Sequence, residues 1–251
     1  MKVLQILPQL NIGGVERGTL DLSKALIHKG HQSFVISGGG VLVDELTQCG
    51  AKHYEIPVHI KSLRTLSLAK RLSETISSID PDIVHVRSRM PAWVNYRAFK
   101  MLQKKPLLVS TFHGLYSFPI YSKVMSFVDH SIAISKTVER YILENYKLDK
   151  GDITVIPRGC DPLEFNNEVI NPVDKANIIE EFPQIVGKKV LTIPGRITKW
   201  KGVAEFIDLL SLLDDNYHGL VVGPTAKSKK KYLNKLQYKV SSLNLEDKIT
   251  F

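Results

Sequence analysis

Three fixed positive charges, Arg196, Lys199 and Lys201, lie within the stretch Pro194-Gly195-Arg196-Ile197-Thr198-Lys199-Trp200-Lys201-Gly202. The apolar run Lys189–Ile193 leads into it and an amphipathic segment from Val203 leads out. A strand ending there puts the cations at the carboxyl edge of a sheet. The next helix adds unpaired N–H groups and the positive end of its dipole. Such a place suits a diphosphate, with a solvent-exposed basic loop as the alternative. Trp200 reads as a packing residue. A second strand-to-helix junction, Asn11-Ile12-Gly13-Gly14-Val15-Glu16-Arg17, has two glycines that let backbone N–H groups approach a ligand closely; a plain tight turn is the alternative. Its spacing is not G-x-G-x-x-G, so a nicotinamide reading is weaker.

Ligands of open parallel sheets bind outside the carboxyl ends of the strands. That rule collects Gly13, Gly14, Gly38 to Gly40, Arg87 to Arg89, His113 to Tyr116, Ser135 and Arg158 from the first part of the chain. From the second part it collects Arg196, Lys199, Lys201 and Gly223-Pro224. Glycines and cations converging in this way fit an activated phosphate ester. His113, followed by Gly114, is expected at the cleft, with a buried, satisfied histidine as the alternative, whereas His85 lies within a strand and reads as structural. Gly38-Gly39-Gly40 is equally compatible with phosphate and with a flexible loop. Asp80-Pro81-Asp82 superficially matches a metal-holding D-x-D. It precedes a strand, at the opposite edge of the sheet, and is ordinary turn chemistry, so no metal ligand is assigned.

Taken in order, Gly13-Gly14-Val15-Glu16, His113-Gly114 and Gly195-Arg196 with Lys201-Gly202 resemble the retaining, GT-B-type glycosyltransferases of family 4. Arg87-Ser88-Arg89-Met90-Pro91-Ala92-Trp93 and Ile156-Pro157-Arg158-Gly159-Cys160-Asp161 resemble the subgroup that builds bacterial lipopolysaccharide core. The resemblance implies two Rossmann-like domains, the first for the acceptor and the second for a nucleotide-diphosphate sugar. It implies that His113 contacts the transferred sugar and that Arg196 and Lys201 stabilise the departing diphosphate without a metal or cofactor. It also implies that Gly13, Gly14, Glu16, Arg87, Arg89, Arg158 and Lys199 bind donor or acceptor. Arg158 stands where the wider family commonly has asparagine. A pair of glutamates spaced eight apart, which the family uses for the donor's sugar and ribose, is missing.

The elements that must position these residues alternate along the chain. Strands are expected at Lys2–Leu7, Gln32–Ser37, Lys52–Ile56, Ile83–Val86, Leu107–Thr111, His130–Ile134 and Ile153–Ile156. Helices lie between them, at Val15–His28, Leu66–Ile79 and Lys136–Tyr146 among others. This alternation predicts an α/β fold, a parallel sheet with helices on both faces, complete as one doubly wound domain over residues 1–165. The proline-punctuated segment 166–187 reads as a linker with one short helix. Alternation resumes over 188–251, with strands at Lys189–Ile193 and Gly219–Val222, helices at Val203–Leu213 and Lys229–Leu243, and a third strand opening at Lys248. Sheets average about five or six strands, so the second domain is expected to be incomplete and the chain a truncated product or fragment.

At 251 residues and 43% hydrophobic, the chain can bury one large core or two small ones. No apolar run reaches the roughly 20 residues of a membrane span. The opening residues read as a strand rather than a signal peptide. Cys49 and Cys160 supply neither a disulfide framework nor a metal cluster, and a cytoplasmic location follows weakly. The net charge of +9 calls for an anionic partner. Aromatic residues are not interleaved with the basic ones as stacking platforms, which argues against nucleic acid. The lysines of Lys229–Leu243 read as a solvated face, with an anionic inner-membrane surface as the alternative. The leading function is transfer of a sugar from a nucleotide sugar to a lipid-linked saccharide. A catalytically inactive remnant of such an enzyme, or another nucleotide-binding α/β enzyme, are the competing readings.

Overall fold

The structure, a computed structural model, describes residues 1–60, 67–116, 119–162, 166, 171–225 and 229–251. It divides into two compact units, Met1–Gly159 and Cys160–Phe251.

In the first unit the strands are β1 (Lys2–Ile6), β2 (Gln32–Ser37), β3 (Lys52–Glu55), β4 (Ile83–Val86), β5 (Leu107–Phe112), β6 (His130–Ala133) and β7 (Ile153–Val155). They form one seven-stranded sheet in the order β3-β2-β1-β4-β5-β6-β7, every pair parallel. The helices are α1 (Gly14–His28), α2 (Val43–Gln48), α3 (Ala69–Ile79), α4 (Arg89–Phe99), α5 (Pro119–Ser122) and α6 (Lys136–Asn145). Successive side chains of a strand point to opposite faces. Phe34 and Ile36 accordingly join the core under α3 and α4, while Val35 joins a second core with Leu20 of α1 and Leu46 of α2. Covering both faces makes the strands nearly continuous apolar runs, which is why they were legible in sequence. Of the expected helix Leu66–Ile79, Leu66 lies outside the described residues.

Helix starts follow local chemistry. The Ser135 side chain caps α6 by accepting the Val138 N–H at 3.2 Å. Helix α1 begins after Gly13, which supplies no capping side chain. The chain turns back after β1 on both sides: β2 and β3 build one flank of the sheet and β4 to β7 the other. The reversal between β1 and β4 is the switch point at which such sheets open a crevice.

The second unit contains α7 (Pro172–Glu181), β8 (Lys189–Pro194), α8 (Val203–Ser211), β9 (Tyr217–Val222), α9 (Lys230–Ser242) and β10 (Ile249–Thr250). Its parallel sheet runs β10-β9-β8. The short helix read within 166–187 is α7, started by Pro172 and capped by the Asn171 side chain; residues 167–170 of that segment lie outside the described residues. Ile207, Leu210, Val221, Leu236 and Val240 centre its core.

Candidate functional site

The first unit brings the ends of β1, β4, β5 and β7 together around the start of α1. Gly13 has extended backbone and its carbonyl accepts the Arg17 N–H at 2.9 Å. The N–H groups of the first turn have no intrahelical acceptor. Glu16 sits in that turn and folds back so that a side chain at Gly13 would strike its carboxylate.

Arg87, one residue past β4, is 6% exposed. Its Nη1 donates to Gln5 Oε1 at 2.8 Å, while its Nε is buried with no partner. Gln5 in turn donates to the Thr19 carbonyl at 3.1 Å and to Ser23 Oγ at 3.0 Å, both on α1. A polar residue in the apolar strand β1 therefore fastens Arg87 to α1. Arg158, from the segment after β7, lies on the same helix. A Cβ at Gly14 would stand 2.6 Å from its Nη1, and one at Gly18 would stand 2.7 Å from its Nη2 and 3.3 Å from Nη2 of Arg87. Burial and the neighbouring Arg158 push Arg87 down to about 10, against the opposing pull of Asp21 and Glu16.

His113 follows β5 directly. Both ring nitrogens are shielded and without partners among the described residues. Burial, then Arg87 and Arg158, push it down to about 3, so the ring is neutral near pH 7. His85 differs: it is buried in β4 and bonded at 2.7 Å to Thr111 Oγ1 on β5, as expected of a structural histidine. Arg89 points away from the Arg87–Arg158 pair into aromatic company. Its guanidinium lies 4.7 Å from the Tyr116 ring centre and 5.4 Å from that of Tyr121, and it donates to Ser122 Oγ at 3.3 Å.

Gly38 to Gly40 is built differently from Gly13-Gly14. The Gly38 N–H donates to the Pro8 carbonyl and the Gly39 N–H to Ser37 Oγ. A side chain at Gly38 would strike the His59 ring, and one at Gly40 would strike the Leu10 carbonyl. The segment is a packed turn. At the other edge, Asp82 accepts the Lys2 N–H at 2.7 Å and Asp80 pairs with Lys104 at 2.8 Å. The carboxylates of Asp80-Pro81-Asp82 are thus spent on neighbours.

In the second unit the β8–α8 junction is held by backbone. The Gly195 N–H donates to the Val222 carbonyl at 2.8 Å and the Ile197 N–H to the Pro224 carbonyl at 3.2 Å. Gly223, at φ 151°, presses on the Gly195 carbonyl so closely that no side chain fits. Ile197 is buried and anchors the loop, leaving Arg196, Lys199 and Lys201 exposed. The Lys201 stem runs over Gly195, its Cε 3.2 Å from where a Cβ would stand. No ion pair among the described residues engages these three cations. Gly202, at φ 71°, starts α8. Trp200, read as a packing residue, is 94% exposed.

Sequence reasoning missed two residues of this arrangement. Gln5 gave a signal, as the one polar side chain inside the run Val3-Leu4-Gln5-Ile6-Leu7. Gly18 gave another, as a glycine inside a helix, four residues after Gly14.

A seven-stranded parallel sheet with polar groups gathered at its switch point in one unit, and a parallel strand–helix unit with cations at its first junction in the other, define a two-unit α/β protein. The sequence profile of Glycosyltransferase Family 4 matches residues 12–163, and the chain belongs to that family. An uncharacterized glycosyltransferase of Methanocaldococcus jannaschii is 31% identical over 175 residues, which is 61% of this chain and 43% of that protein. The chain thus spans less than half the length of the curated relatives it matches. The crystal structure of a glycosyltransferase from Rickettsia africae ESF-5 is similar with a TM-score of 0.84 and 33% identity, covering 99% of this chain and 67% of that one. Anabaena Alr3699/HepE, solved with UDP and glucose, has a TM-score of 0.83 at 18% identity, covering 100% of this chain and 68% of its own, which is a likeness of fold.

Proposed function

We propose that this chain serves the transfer of a sugar, with retention, from a nucleotide-diphosphate sugar to a lipid-linked saccharide of the lipopolysaccharide-core type, on the inner face of the cytoplasmic membrane. The observation that carries the reading is the β8–α8 junction, where Arg196, Lys199 and Lys201 stand exposed at a helix start, with no ion pair among the described residues, in a member of glycosyltransferase family 4. Fixed positive charge there suits the diphosphate of a donor, and the Anabaena fold neighbour holds UDP and glucose. The core-saccharide assignment rests on the resemblance carried by Arg87–Trp93 and Ile156–Asp161.

In this reading the bond from the anomeric carbon to the diphosphate oxygen breaks as an acceptor hydroxyl bonds to the same carbon on the same face. The hydroxyl proton leaves with the diphosphate. Arg196 and Lys201 neutralise the charge growing on that leaving group, the role a divalent cation would otherwise fill. His113, held neutral, is suited to hydrogen bonding with the transferred sugar and unsuited to protonating it. Gly13 and Gly14 leave room for backbone contacts.

Calorimetric titration with nucleoside diphosphates, and with the corresponding sugars, tests the donor assignment. One nucleoside diphosphate should bind saturably, and Arg196→Ala and Lys201→Ala should each weaken it by about tenfold or more. Unchanged affinity in both variants would remove the cations from the donor site, and no binding to the wild-type chain would remove the reading itself.

A further inference from the structure

We propose that the acceptor taken by the first unit carries an anionic group, a phosphate or a carboxylate, held between the guanidinium groups of Arg87 and Arg158 on the glycine-faced start of α1. This rests on reading the chain as a glycosyltransferase.

The charge balance of the cluster points to an anion. Arg87 is 6% exposed, yet among the described residues only its Nη1 has a partner, the uncharged Gln5. Arg158 makes no hydrogen bond or ion pair among the described residues, and neither guanidinium meets a carboxylate at ion-pair distance. Asp21 and Glu16 act on Arg87 only from farther away, and they do not overcome its burial and the repulsion from Arg158. Arg158 also lies at the positive end of the α1 dipole, beside Gly14. Two like charges at that position are unfavourable by themselves, and a dianion or carboxylate between them reverses the sign of the interaction.

The space is made by glycines. Gly18 lies within α1, where glycine weakens a helix relative to alanine. What it makes room for are Nη2 of Arg158 and Nη2 of Arg87, and Gly14 one turn earlier makes room for Nη1 of Arg158. Planar guanidiniums lying on a helix face without side chains can offer paired N–H groups to an oxyanion. His113 borders the same cluster with two unpartnered nitrogens and feels both arginines. An anion between them therefore shifts its protonation, which gives a direct readout.

Glycerol 1-phosphate and glucuronate serve as probes, by calorimetry and by NMR titration of the His113 ring. One probe should bind saturably and raise the His113 pKa by about one unit or more. Arg158→Gln should weaken that binding about tenfold or more. Gly18→Ala should do the same while raising the melting temperature, an opposite pair of effects that simple damage to the fold does not produce. Binding of glycerol 1-phosphate alone identifies a phosphoryl group, and binding of glucuronate alone a carboxylate. The probe should bind equally well when UDP is saturating. No binding of either probe at tens of millimolar, equal binding in Arg158→Gln, or displacement by UDP would each overturn the proposal. A probe that binds when no nucleoside diphosphate does would leave the anion site standing and bring down the donor reading instead.

Discussion

His113 and Gln5 do their work through atoms that their neighbours refuse to satisfy or cannot do without. The His113 pKa of about 3 lies below the roughly 6.5 of an unfolded histidine. As pH falls through that window the unfolded chain takes up a proton that the folded chain rejects. The stability contributed by the neutral ring is therefore complete above about pH 6.5 and is lost as pH drops toward 3. His85, lowered by burial, works in the same direction. Urea midpoints at pH 7 and pH 4.5 should fall more steeply for the wild-type chain than for His113→Asn; parallel slopes would show that the buried ring is not the titrating group. Gln5 has the converse position, with every side-chain contact used. Gln5→Leu strands a buried guanidinium, at a cost on the order of 2 kcal/mol by equilibrium unfolding. A loss below a few tenths would mean that Arg87 finds another partner.

At the scale of elements, the two strand-to-helix junctions use glycine for different reasons. In α1, the nearest atom to a side chain at Gly18 is the end of the exposed Arg158, with the buried Arg87 Nη2 farther off at 3.3 Å, so the added methyl of Gly18→Ala displaces Arg158 and presses only lightly on Arg87. Helix propensity then favours the variant by up to about 1 kcal/mol. At the β8–α8 junction Gly223 faces backbone, the Gly195 carbonyl, at a φ of 151°. Gly223→Ala has no flexible neighbour to move and combines strain with collision, so it should destabilise the second unit by on the order of 2–3 kcal/mol. Thermal unfolding of the two variants checks the contrast in sign. A destabilised Gly18→Ala would place Arg158 in a structural role.

The whole molecule contains separate cores. Residues from Leu4 to Ile153 form the large core of the first unit, whereas nine buried apolar residues among those described form that of the second. Smaller cores bury a smaller share of their surface and are more marginal. Unfolding should therefore depart from a single two-state transition, with the second unit opening first. The tryptophans report this separately. Trp93 is half-buried, edge-on to Tyr96, and donates to the Tyr121 carbonyl at 2.9 Å, while Trp200 is already in solvent. Fluorescence should thus follow the first unit and far-ultraviolet circular dichroism both. The expected outcome is a fluorescence midpoint at higher urea than the dichroism midpoint, and coincident curves would show that the units unfold as one.

By itself the sequence determined the elements and their type. Strands of a parallel sheet covered on both faces must be apolar throughout, and the helices between them must carry an apolar stripe, so Lys2–Ile6, Gln32–Ser37 and Ile83–Val86 were visible as strands without neighbours. The rule that ligands meet the carboxyl ends of strands then named Arg87, His113, Arg158 and Arg196. Tertiary structure decided what each became. Gly13-Gly14 and Gly38-Gly39-Gly40 look alike as text, but the first is covered by the side-chain ends of Glu16 and Arg158 and the second by the Leu10 backbone and the His59 ring. Arg87 and Arg89 are two residues apart, and one is buried against Gln5 while the other is clasped by Tyr116 and Tyr121. The reason is physical: a side chain's charge and reach are local properties, but its burial and partners depend on atoms that the fold brings in from far along the chain. Gln5 is 82 residues from Arg87, and no pattern around either one encodes the other.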